Sequence, residues 1–230
     1  MKKLFGTDGM RGRAGAFPLD KETIAIVGKS LARQFREKLE REPRFITGRD
    51  TRESGAWIEA AFARGARRAG AACESAAVIT TPGVAFLARK FDFDAGVVIS
   101  ASHNPFEDNG IKIFSPSGKK IDEAAEREIE KDVYSGGGGQ ATTVKSEIDS
   151  SRSAEFQQAY LDYLAGEFEN LSLSDFRMVV DCANGAACSL APRLFERFGA
   201  TVVAINNEPD GRNINKNCGS LHLENLQARV

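Results

Sequence analysis

Residues 97–114 read VVISASHNPFEDNGIKIF. The run opens on Val97, Val98 and Ile99, whose apolar side chains read as a buried strand. It breaks into Ala101, Ser102, His103, Asn104 and Pro105, a polar loop that sets a hydroxyl beside an imidazole. Pro105 is expected to end ladder pairing, and Asn109-Gly110 reads as a turn. Ile111, Lys112, Ile113 and Phe114 then alternate, which turns Lys112 away from its apolar neighbours. A serine thus closes a buried strand, and a lysine lies on the strand that folds back beside it. In open α/β sheets that end of the strands is where ligands bind.

Strand and helix signals alternate outward from this stretch. Asp20 starts a helix whose stripe is Ile24, Val27, Leu31, Phe35 and Leu39, with Pro43 as its stop. Residues 44–47 read as a strand leading into Gly48-Arg49-Asp50-Thr51-Arg52, and Ser54 as the cap of the next helix, which stops near Gly70. Arg49 and Arg52 are expected to pair with Asp50 and Glu53, ahead of the alternative of direct substrate contact. Residues 77–80 read as a strand, and Pro82 as the first turn of a helix reaching Phe91. Asp92-Phe93-Asp94 reads as a surface loop rather than a metal motif.

Residues 122–134 read as a solvated helix packed through Ile121, Ala125, Ile129 and Val133. The four glycines 136–139 and the polar stretch up to Ser153 mark the domain boundary, with a short strand near 142–145. A helix over 154–168 follows, then a strand at 177–181, a turn at Asn184-Gly185, a helix at 190–198 and a strand at 201–205. Pro209-Asp210-Gly211 reads as a turn, and residues 221–230 as a helix. The expected fold is α/β: two consecutive domains, 1–150 and 151–230, with mixed, mostly parallel sheets flanked by helices.

The 230 residues are 42% apolar and carry a net charge of −1, which supports a core and leaves no electrostatic footprint for nucleic acid. No apolar run is long enough for a membrane span, and residues 1–6 carry two lysines but no apolar h-region, so a signal peptide is not expected there. Cys73, Cys182, Cys188 and Cys218 show no CxxC pair, so reduced thiols in the cytoplasm are expected. Ser102 has no GxSxG elbow, and an adjacent histidine rarely reaches a serine as its base, so a Ser-His hydrolase does not fit. Taken alone, Ser102 also reads as a turn serine capping its own loop. The turn at 181–187 is not G-x-G-x-x-G and gives no support for dinucleotide binding.

The full string ISASHNPFEDNGIKIF resembles the phosphoserine loop of the α-D-phosphohexomutases. Residues 5–12 (FGTDGMRG), 48–55 (GRDTRESG) and 213–220 (NINKNCGS) resemble further motifs of that family, in family order. Their form is that of the branch that interconverts glucosamine 6-phosphate and glucosamine 1-phosphate, on the route to UDP-N-acetylglucosamine and cell-wall precursors. The resemblance implies an isomerase that is phosphorylated on Ser102, passes this phosphoryl group to the sugar, and recovers the other phosphate from a bisphosphorylated intermediate. It implies phosphate or substrate contacts for Arg11, Ser102, His103, Asn104 and Lys112, and a catalytic set of Ser102, Lys112, Arg11 and His103. Lys112 is the acid/base candidate, Arg11 the guanidinium facing phosphate, and His103 the residue that orients the loop or contacts phosphate.

One Mg²⁺ per site is implied too, held by Ser102 through its phosphate and by an Asp-rich loop of the type DGDGD, together with a bisphosphorylated sugar as activator. No DGDGD occurs in these residues. The resemblance covers the first domain and most of the second of a four-domain architecture, so the chain alone is expected to lack turnover. The expected partner is a sugar phosphate, without nucleic acid or membrane, and a homodimer is left open. The competing readings are a non-catalytic sugar-phosphate-binding or dimerising fragment, and a related phosphoglucomutase or phosphomannomutase.

Overall fold

The computed structural model describes residues 3–7, 9–136 and 148–230. The glycines 137–139 of the expected boundary and the expected strand at 142–145 lie outside the described residues.

Among the described residues six strands form the larger sheet: β1 (Phe5–Gly6), β2 (Gly9–Arg13), β3 (Arg44–Arg49), β4 (Ala72–Val78), β5 (Ala95–Ile99) and β6 (Asp108–Phe114), in the order β1-β2-β6-β5-β3-β4. β3 runs parallel to β4 and β5, whereas β5–β6, β6–β2 and β2–β1 are antiparallel. β2 therefore points the same way as β3, β4 and β5, and only β1 and β6 oppose them. The chain passes from β3 to β4 on one side and returns to β5 on the other. That reversal places a crevice at the carboxyl ends of β3 and β5.

Alternation along the strands divides the core in two. Phe45, Val97, Ile99, Ile111, Ile113 and Met10 face α1 (Lys21–Leu39), α2 (Gly55–Arg68) and α4 (Glu123–Tyr134). Ile46 and Val98 face α3 (Thr81–Lys90) and α5 (Ser153–Gly166), where Phe156, Tyr160 and Leu161 are buried. α5, which the sequence assigns to the second domain, thus packs in the core of the larger sheet. Asp20 caps α1 by accepting from the Thr23 amide at 2.9 Å, and Asp122 caps α4 through the Ala125 amide at 2.7 Å.

α1 and α2 touch backbone to backbone. A Cβ on Gly65 would lie 1.8 Å from the Ala25 carbonyl oxygen, and one on Gly28 would lie 2.2 Å from that of Phe62. Neither helix can yield without leaving the core, so Gly65→Ala is expected to cost about 2–3 kcal/mol despite its better helix propensity. Urea denaturation measures this; a variant as stable as the parent would show that the helix pair can spread.

Several sequence expectations change. Asn109-Gly110 is not a turn but lies inside β6, paired with Gly12 and Arg11 of β2; residues 101–107 make the connection instead. The Asn109 side chain is buried and donates to Ser54 Oγ at 2.8 Å, so Ser54 serves this contact and makes no side-chain cap on α2. The strand expected at 77–80 runs from 72 to 78, because Glu74 and Ser75 hide it in the pattern. Arg52 pairs with Asp50, but Arg49 pairs with Glu59, and Glu53 pairs with Arg212. Asp94 is no surface residue: it is buried and holds Arg41 at 2.6 Å.

A second, parallel pair, β7 (Arg177–Asp181) and β8 (Thr201–Ile205), is joined through α6 (Ala191–Arg197). The turn after β7 puts Ala183 and Asn184 in the left-handed region. The helix expected over 221–230 is a 3₁₀ turn at Gly219–Leu221 and a short α7 (Glu224–Gln227).

Candidate functional site

The site grows from the loop between β5 and β6. Ser100 continues the ladder, its amide donating to the Gly110 carbonyl at 3.0 Å. Ser102 is exposed and has φ 58°. A serine in the left-handed region carries strain on the order of 1 kcal/mol, which the surroundings must hold in place. They do so through several contacts. The Ser102 amide donates to Ser100 Oγ at 3.0 Å, and the Asn104 amide to the Ala101 carbonyl at 3.2 Å. The Asn104 side chain donates to Asp108 at 2.9 Å. Beneath the loop, Arg52 Nη2 donates to the carbonyls of Ser102 (3.2 Å) and Asn104 (2.6 Å).

The guanidinium of Arg52 is fully buried and ion-paired with Asp50. Burial pulls its pKa below the ordinary arginine value, and the Asp50 charge and hydrogen bond work against that pull. The side chain stays charged, as arginine does, and serves the loop through its donors.

Arg11 and Lys112 stand on one face of the sheet. Arg11 pairs with Gly110 and Lys112 with Val98, while their neighbours Met10 and Ile111 point into the opposite core. α3 lies over β3 and β5, so the two basic side chains rise from the adjoining strands. Glycines make the room. A Cβ on Gly9, whose φ is 88°, would come within 2.3 Å of the Ile111 carbonyl oxygen and 3.1 Å of Lys112 Cγ. One on Gly110 would lie 2.8 Å from the Ser100 carbonyl oxygen and 3.0 Å from Arg11 Cγ. Lys112 is half-buried, and among the described residues no carboxylate pairs with its amino group. His103 is exposed beside Ser102. Ser102, His103 and Asn104 therefore share one loop tip, Arg11 sits at the level of Ser100, and Lys112 lies deeper along β6.

The second unit, residues 177–230 around β7 and β8, closes on the loop from the other side. Thr51 donates to the Asn184 carbonyl, the Glu53 amide to the Gly211 carbonyl at 2.9 Å, and Arg212 meets Glu53 at 2.7 Å. Asn215 Nδ2 donates to the carbonyls of Ser102 (2.8 Å) and Asn104 (3.1 Å). Sequence reasoning set Arg52 as an ion-pair partner ahead of a direct substrate contact and gave Asn215 no role; the one signal for Asn215 was the NINKNCGS string.

The resemblance also implies Mg²⁺ at this site. Among the described residues no three His, Cys, Asp or Glu side chains gather as a metal site. Magnesium requires a near-octahedral set of oxygens. The residues of this segment do not fit such a site by themselves. No described helix is long and apolar enough to cross a membrane. All four cysteines are free.

The family described as phosphoglucomutase/phosphomannomutase, alpha/beta/alpha domain I, matches residues 2–137. Phosphoglucosamine mutase of Solibacter usitatus is 45% identical over 229 residues, covering all of this chain and 50% of the relative. That of Koribacter versatilis is 42% identical over 240 residues, with the same coverage. Among solved structures, a phosphoglucomutase/phosphomannomutase family protein from Burkholderia thailandensis superposes with a TM-score of 0.76 at 25% identity, over 98% of this chain and 48% of its own. The chain thus spans about half the length of the curated relatives it matches.

Proposed function

This chain belongs to the phosphoglucomutase/phosphomannomutase family, and we propose that it carries the phosphoryl-transfer segment of a phosphoglucosamine mutase, an isomerase that interconverts glucosamine 6-phosphate and glucosamine 1-phosphate. The observation that carries the reading is an exposed Ser102 at a clamped loop tip, with Arg11 and Lys112 on the adjoining sheet face. The identity to named phosphoglucosamine mutases supports the amino sugar.

In this mechanism Ser102 carries the phosphoryl group. The bond from phosphorus to Ser102 Oγ breaks as a bond to the sugar hydroxyl forms, and the hydroxyl proton ends on Ser102 Oγ. Lys112 holds and passes that proton. The bisphosphorylated sugar then turns and returns its other phosphate to Ser102 by the reverse step. Arg11 presents a planar fork to the phosphate, while His103 and Asn104 line the loop tip around it. Positioning and charge neutralisation supply most of the rate in such transfers. A bisphosphorylated hexose would prime the serine, and the free thiols suit a cytoplasmic setting. The two domains of this reading are residues 1–150 and 151–230, with α5 of the second packed on the sheet of the first.

Two preparations test the proposal in a coupled assay: the 230-residue chain, and a complete enzyme made by joining it to the remaining half of the Solibacter usitatus relative. The joined enzyme is expected to convert glucosamine 6-phosphate. The chain alone is expected to show no measurable turnover, because no carboxylate cluster for a metal is gathered among its described residues. A joined enzyme that is folded yet inactive, beside an active Solibacter usitatus control, would overturn the assignment. Turnover by the chain alone within tenfold of the control would overturn its dependence on the other half.

A further inference from the structure

Two carbonyl oxygens of the Ser102 loop receive the same pair of donors. Arg52 Nη2 reaches Ser102 O at 3.2 Å and Asn104 O at 2.6 Å, and Asn215 Nδ2 reaches the same two oxygens at 2.8 Å and 3.1 Å. A carbonyl oxygen has two lone pairs, and each of these nitrogens has two hydrogens. Four hydrogens thus meet four lone pairs. Both carbonyls accept only, so nitrogen is the end of the Asn215 amide that must face them. The two donors come from different parts of the chain. Arg52 is buried after β3 and fixed by Asp50; Asn215 sits in the second unit at φ 59°, fixed by its own amide donating to the Ala183 carbonyl at 2.9 Å.

We propose that Asn215 is a positioning residue: with Arg52 it clamps the Ser102 and Asn104 carbonyls, and so makes the reactive shape of the serine loop depend on the docked second unit. This rests on the reading of Ser102 as the phosphoryl carrier. The clamp spans residues 102–104, the segment that turns Ser102 into the left-handed region. Without Asn215, each carbonyl keeps one donor from below and turns its other lone pair to solvent. The loop can then leave its strained shape, and the nucleophile loses its aim although no atom that touches substrate has changed. Contacts of Thr51 with Asn184 and of Glu53 with Gly211 and Arg212 hold the second unit against residues 51–53, next to Arg52. The clamp therefore closes when the two units are seated.

Asn215→Gly is the informative variant. Glycine keeps the left-handed backbone at no steric cost and deletes both donors. Asn215→Asp keeps the size but sets a carboxylate against two carbonyl oxygens. Hydrogen exchange on the 230-residue chain is expected to show residues 101–104 exchanging at least about tenfold faster in both variants, with exchange in β5 and the melting temperature unchanged. In the joined enzyme, kcat is expected to fall about tenfold or more while KM for glucosamine 6-phosphate stays within about twofold. Arg52→Lys, which keeps a charge for Asp50 but loses the fork, is expected to loosen the same residues. Parent-like exchange at 101–104 in Asn215→Gly, or a change in KM alone, would overturn the proposal. Retained turnover in Ser102→Ala would overturn the reading beneath it, and that variant alone tells the two failures apart.

Discussion

Ser102→Ala in the joined enzyme is expected to reduce turnover by a factor on the order of 10⁴ or more, to the level of the assay background. The expectation follows from covalent chemistry. If the phosphoryl group travels on Ser102 Oγ, its removal deletes the carrier, and water cannot substitute for it in a cycle that must return the phosphate to the sugar. Folding should be unaffected. The side chain is exposed, and Ser102 meets its protein partners through its amide and carbonyl. Alanine and serine also face the same left-handed penalty at φ 58°. Stability is therefore expected to change by less than about 0.5 kcal/mol. Ser102→Ala turning over at a tenth of the parent rate would remove the serine from the chemistry.

Lys112→Ala is expected to lower turnover by about 10²–10⁴, the range for a positioned acid or base. Lys112 is half-buried on β6, with its stem running past Gly9. Truncation sacrifices that stem contact, worth about 1 kcal/mol, but no ladder hydrogen bond, since Ile111 and Ile113 keep the strand in its core. Lys112→Arg separates the two roles of the residue. Arginine keeps the positive charge but does not release its proton in proteins. If Lys112 passes a proton, Lys112→Arg should stay within about tenfold of Lys112→Ala. Recovery to the parent rate would reduce Lys112 to a charge, and a variant that fails to fold would contradict its placement on the open face.

The strand and helix order was largely legible in the sequence because the core is made by alternation and by narrow apolar stripes. The stripe of α1, the Asp20 and Asp122 caps and the strand before Ser102 all read directly from residue spacing. The failures share a cause: a polar residue whose partner lies far along the chain. Asn109-Gly110 carries the dipeptide of a tight turn, but Asn109 is satisfied by Ser54, fifty-five residues away, and Gly110 is needed for the close passage of Arg11 and the Ser100 carbonyl. Glu74 and Ser75 masked β4 because their partners, Arg152 just before α5 and Glu59 in α2, are not connected to that strand by any local pattern. At the site, Ser102, Arg11 and Lys112 were singled out by motif and alternation. Arg52 and Asn215 were not, because a side chain that serves a backbone carbonyl leaves no complementary residue type in the sequence to suggest it.

Phosphopeptide mass spectrometry on this protein purified from cells tests the central claim most directly, because it asks where the phosphoryl group resides without needing turnover. The expected result is phosphate on Ser102 and on neither Ser100 nor Ser115. Ser100 is engaged with the Ser102 amide and Ser115 lies in the hairpin beyond β6, and neither shares the clamped loop tip. Phosphate on Ser100 or Ser115 with Ser102 bare would contradict the account.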